Sequence, residues 1–134
     1  MNGTSAQWTH ATLKDASLVQ LDLATLDLAL APESCYQTHG GTPWIWEDNQ
    51  GVQWHPSTSP PQARRLALDG LRRAGWSLEY TTRAVGHLLQ YDGCCHAHKG
   101  RRSETVFWGG PGSSDSEATA LTRLACWCAV GEEG

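Results

Sequence analysis

At Gly75 the apolar period of this chain changes from 3.6 to 2, and that switch constrains the fold more than any other feature. Upstream, Ala63, Leu66, Ala67, Gly70, Leu71 and Ala74 recur at helical spacing and so share one helix face. Ser59 is placed to cap the first turn through its hydroxyl, with Gln62 as its capping-box partner. Pro60 and Pro61 suit that turn, where a missing N–H costs nothing. Gly75 can take the left-handed conformation that stops a helix. Downstream, Trp76, Leu78 and Tyr80 alternate with Ser77, Glu79 and Thr81. Val85, His87, Leu89 and Tyr91 form a second alternating run, and Arg83 to Gly86 fit a turn between the two, so a β-hairpin is predicted.

The other segments are read by the same rules. Residues 1–16 are polar and form an arm, with Gln7-Trp8-Thr9 as a possible edge strand. Residues 17–31 carry leucines at both helical and alternating spacing; their length and their alanines favour a helix that ends before Pro32. Trp44–Glu47 and Val52–Trp54 flank the turn signal Asp48-Asn49-Gln50-Gly51, which predicts a short hairpin or a long structured loop. Residues 92–104 read as a loop and Thr105–Trp108 as a strand. After the Gly109–Ser113 breaker, a last helix starts near Ser114 with Glu117 as capping-box partner, burying Ala118, Leu121, Leu124, Ala125 and Cys128. The tail from 131 to 134 is polar.

With 134 residues, the chain is long enough for one domain with a real core. A net charge of −4 argues against long nucleic acid or an anionic membrane as partner. No run is long and apolar enough to span a bilayer, and the first residues lack a secretory pattern. Five cysteines, an odd and unspaced set, favour a reducing compartment. Seven tryptophans against one Phe is the unusual feature, because Trp suits surfaces that grip a partner.

Candidate chemistry is sparse. Cys94-Cys95-His96-Ala97-His98 has the composition of a metal site, but adjacent cysteines seldom converge on one tetrahedral ion, so no metal is expected. Gly109–Ser114 before a helix has phosphate-loop character without the Walker lysine. Lys99, Arg101 and Arg102 make a basic tip, and Arg64, Arg65, Arg72 and Arg73 a basic helix face. No hydrolase, zincin or nucleotide fingerprint occurs, so no catalytic residue and no cofactor are expected.

Pro56-Ser57-Thr58 before the alanine/leucine helix, followed by Gly75-Trp76-Ser77-Leu78, resembles the phage ABA-sandwich family of small bacteriophage and prophage proteins. The likeness extends to the leucine/alanine segment 18–31 and to the last helix after Asp115-Ser116-Glu117-Ala118; Ser59 stands where that family often has Asp. The resemblance implies a sheet between helical layers and a viral accessory protein in the host bacterial cytoplasm. It carries no catalytic residues.

The expected fold is α+β: one domain over 17–130, with about four antiparallel strands and about three helices. Its expected core includes Leu26, Leu30, Leu66, Leu71, Trp76, Leu78, Tyr80, Leu89, Val106, Trp108, Leu121, Leu124 and Cys128. The expected function is capture of a small phosphorylated, nucleotide-like ligand, as a phage protein counteracting host defence. Trp44, Trp46, Trp54, His55, Ser57, Thr58, Arg64 and Arg65 would form the ligand site, because Trp faces stack bases and Arg reads phosphate. The alternatives are an inhibitor that binds a host defence protein through the same residues, and a thiol or metal enzyme using Cys94 or Cys95. Leucines on more than one face of 17–31 add the expectation of a homodimer.

Overall fold

The computed structural model describes residues 8–37, 41–82, 92–109 and 115–130, and in it the last helix, α4 (Glu117–Ala129), is the hub. Ser116 caps it by accepting from the Thr119 backbone N–H. The cap therefore lies beyond the predicted Ser114, and Glu117 becomes the first helical residue instead of the capping-box partner. The predicted stripe of Ala118, Leu121, Leu124, Ala125 and Cys128 is buried. Thr119, Ala120, Thr122 and Cys126 are buried too, so α4 is enclosed on more than one side.

Five elements supply that enclosure. α1 (His10–Lys14), α2 (Leu18–Asp27), α3 (Pro60–Arg65), the π-helical turn that follows it (Leu66–Leu71) and a strand, Arg102–Trp108, all pack on α4. α1 replaces part of the arm expected over 1–16. Thr9 and Thr12 build a reciprocal capping box, and Leu13 is buried. His10 stacks on Trp127 with ring centroids 4.1 Å apart. In α2, Ser17 and Gln20 form another such box.

Ser59 caps α3 and Pro60 occupies its first turn, as the sequence predicts. Gln62 does not close a box, however. Its Oε1 accepts from the His55 N–H at 2.7 Å, and its Nε2 donates to the Gln53 carbonyl, which ties the helix to the preceding hairpin. Beyond Arg65 the helix widens into a π-turn over Leu66–Leu71. Gly70 lies in that turn because a Cβ there would stand 2.9 Å from the Leu30 carbonyl oxygen. Gly75, at φ +95°, ends the helix.

The strands form two three-stranded antiparallel sheets where one sheet of about four strands was expected. In the first, β1 (Cys35–Gln37), β2 (Pro43–Glu47) and β3 (Gln50–Gln53) pair in that order. Asp48 and Asn49, both at positive φ, form the two-residue turn. The second sheet holds β4 (Ser77–Thr82), β5 (Gly93–Lys99) and β6 (Arg102–Trp108). The segment 92–104 is thus mostly hairpin instead of loop, closed at Gly100, which has φ +61°. The predicted strand at Val85–Tyr91, with Leu89, lies outside the described residues, as do Gly110–Ser114 and the tail.

One continuous core joins the layers. Trp76 and Trp108 are buried in it, as the strand assignment requires, together with Leu30, Leu66, Leu71, Leu121, Leu124 and Cys128. Leu26, Leu78, Tyr80 and Val106 are only partly buried. The class is α+β, as the sequence predicts.

Candidate functional site

Alternation along β2 sorts its side chains between two faces. Ile45 is fully buried and pairs in register with Cys35 and Val52, so that face meets the core. Trp44 and Trp46 project from the other face, where Tyr36 stands opposite Trp44. The register also sets Gly51 opposite Trp46. An added Cβ at Gly51 would stand 2.8 Å from the Tyr36 Oη, so the glycine leaves room for the tyrosine to reach across the sheet. Trp46 is 54% exposed and Tyr36 42%. The Trp44 Nε1 is enclosed without a hydrogen-bond partner. An orphaned buried donor costs about 1–3 kcal/mol.

Tyr36 was missed in the sequence. Its strand has three residues, too few for alternation to register, in a stretch for which the sequence predicts no element.

Most of the other predicted ligand residues are committed to holding the fold. Trp54 is fully buried and donates from Nε1 to Thr25 Oγ1 at 2.9 Å. Ser57 is also fully buried; its N–H and hydroxyl donate to the Asp22 carboxylate at 2.8 and 3.0 Å. Its carbonyl accepts from Thr119 Oγ1 at 2.8 Å. These bonds fasten the 54–59 segment to α2 and α4, so neither Trp54 nor Ser57 can face a ligand. Burial raises the Asp22 pKa, while the two bonds from Ser57 pull against that rise. His55 and Thr58 satisfy one another, Nδ1 to Oγ1 at 2.8 Å.

The cations are also largely paired. Arg64 makes a two-pronged bond to Glu117, 2.7 and 2.9 Å, and Tyr80 donates its hydroxyl to the same carboxylate. The Arg64 bond holds the Glu117 pKa below the usual carboxylate range. Arg65 pairs with Glu47 at 2.7 Å. At the basic tip, Lys99 Nζ donates to the Ala74 carbonyl at 2.7 Å, capping the end of the α3 helix. Arg102 lies over the Trp76 ring and donates to the Cys128 and Val130 carbonyls at the end of α4. Two of its three cations therefore serve helix C-termini.

Register also divides the Cys/His run. Cys95 and Ala97 point into the core, while Cys94, His96 and His98 share the opposite face of β5. Burial pushes the Cys95 thiol up to about 11 and the Cys128 thiol up to about 12. Little thiolate then exists near neutral pH, which leaves these two sulfurs unsuited to nucleophilic chemistry. Among the described residues no three His, Cys, Asp or Glu side chains lie close enough to hold a metal ion between them. None of the described helices is long and apolar enough to cross a membrane.

A cleft of about 480 Å³ beside the π-turn is lined by Leu30, Pro32, Arg65, Leu68, Arg72 and Arg73, with Glu33 and Asp69 at hand. The fold and these surfaces define a small α+β domain with an open aromatic sheet face and an arginine-lined cleft. No protein-family model, curated protein or solved structure matches the chain.

Proposed function

We propose that this chain is a non-enzymatic binding protein that engages a protein partner through Tyr36, Trp44 and Trp46 on the outer face of β1–β3. The supporting observation is the exposure of Trp46 beside Tyr36 on a paired, register-fixed sheet. Large aromatic rings on rigid strands bind at low conformational cost, and Trp and Tyr are the commonest anchors of protein interfaces. Together with the resemblance to phage accessory proteins, this makes a host defence protein in the bacterial cytoplasm the proposed target. The test is affinity capture of candidate defence proteins by the wild type and by Trp46→Ala. A stoichiometric complex that Trp46→Ala abolishes supports the reading; a complex indifferent to Trp46 overturns it.

Capture of a small phosphorylated ligand remains the second reading, moved from the 54–65 segment to the cleft that Arg65, Arg72 and Arg73 line. Arginine suits phosphate through paired N–H groups. Calorimetry with cyclic and linear nucleotides on the wild type and Arg72→Ala separates the two readings. The homodimer expected from the leucine-rich 17–31 segment is tested by light scattering across a dilution series: a mass near 14.6 kDa throughout would rule it out.

A further inference from the structure

On the open face of the second sheet, β5 sets His96 and His98 two residues apart on one side of the strand. Their ring centroids are 5.7 Å apart with planes inclined at 33°. We propose that this pair chelates a divalent late transition-metal ion, with water completing the coordination. An imidazole nitrogen binds such an ion at about 2.0–2.1 Å, which puts each ring centroid about 3.2 Å from the metal. Two centroids 5.7 Å apart then correspond to a nitrogen–metal–nitrogen angle of roughly 125°, a modest opening of the tetrahedral value.

The surroundings suit this chemistry. His96 Nδ1 meets Thr105 Oγ1 at 2.6 Å, a short bond that fixes the ring as outer-sphere partners of metal-bound histidines do. Its Nε2 meets Ser103 Oγ at the longer 3.2 Å, the contact a metal would displace. His98 is exposed and opposite Ser77, so its ring is free to turn toward the shared point. Glu79 stands opposite His96 on β4, and no basic residue lies opposite either histidine on β4 or β6. Two imidazoles with open positions favour Cu2+, Ni2+ and Zn2+ over Mg2+ or Ca2+. The site would be exchangeable, unlike a closed structural zinc centre.

The test is calorimetric titration of the untagged chain with Ni2+ and with Zn2+, repeated on His96→Ala, His98→Ala and Cys94→Ser. One ion per chain with micromolar affinity is expected, weakened at least about tenfold by either histidine substitution and unchanged by Cys94→Ser. Both histidines are on the solvent side of a paired strand, so the variants should keep the wild-type circular dichroism. A rise in thermal midpoint on adding Ni2+ to the wild type, absent in His98→Ala, gives an independent readout. No stoichiometric binding, binding indifferent to His96 and His98, or binding lost with Cys94→Ser would overturn the proposal.

Discussion

Ser57 donates both its backbone N–H and its hydroxyl to the Asp22 carboxylate, at 2.8 and 3.0 Å, in a site closed to solvent. Removing the acceptor strands two buried donors, each worth about 1–3 kcal/mol. Asp22→Ala should therefore destabilise the fold by about 2–4 kcal/mol, well beyond Ser57→Ala, which leaves the backbone bond in place. Urea denaturation of both variants measures the difference, and equal midpoints would show that the network is not what fastens the 54–59 segment.

Trp54 and Thr25 form the second fastening, a buried bond of 2.9 Å. Trp54→Ala should cost about 3–5 kcal/mol as a large-to-small core change. Thr25→Val keeps the volume and removes a hydroxyl that accepts from Trp54 and donates to the Asp22 carbonyl, so about 1–3 kcal/mol is expected. Chemical denaturation followed by circular dichroism checks both.

Gly70 sets a helix-propensity gain against a clash. Alanine in a helix gains about 1 kcal/mol over glycine, but the new Cβ would meet the Leu30 backbone oxygen at 2.9 Å. Backbone cannot swing aside as a side chain does, so Gly70→Ala should be net destabilising by about 1–3 kcal/mol. A higher thermal midpoint for the variant would refute the close approach.

Glu117 governs the acid side of stability. Its folded pKa is lowered, chiefly by Arg64, so its contribution is complete above the unfolded carboxylate value and is lost as pH falls through the folded one. Asp22 acts with the opposite sign: burial raises its pKa, so protonation on acidification relieves a cost. Glu117→Gln should flatten the loss of stability at low pH, and Asp22→Asn should steepen it. Because Arg64 is 44% exposed, solvent screening keeps the pair's contribution at neutral pH to about 1 kcal/mol or less. Denaturation midpoints from neutral pH down to about pH 3, through the unfolded carboxylate range, provide the comparison.

Gly51→Ala should separate stability from binding. The added Cβ meets the tip of an exposed tyrosine, which can move at a cost of about 0.5 kcal/mol or less. Tyr36 would then leave its place across the sheet, and partner binding should weaken with little change in thermal midpoint. Unchanged affinity would remove Tyr36 from the proposed interface.

Local rules made α2, α3, α4 and the first hairpin legible, though not α1. Ser59 with Pro60, the Gly75 stop and the Asp48-Asn49 turn are each determined by a few neighbouring residues, and the chain follows them. β5 was hidden because its inner face is Gly93, Cys95 and Ala97, a composition with no strand signature. Gly93 is required for a tertiary reason: a Cβ there would run into the Trp108 ring. Sequence likewise named Trp54, Ser57, Arg64 and Arg65 as groups able to bind. Only the packing of α2 and α4 decided that Trp54 and Ser57 face inward to Thr25 and Asp22, and that Arg64 meets Glu117. Hydrogen-bonding capacity is a property of the residue, but whether a partner already occupies it depends on contacts between residues 35 or 53 positions apart, which local patterns do not encode.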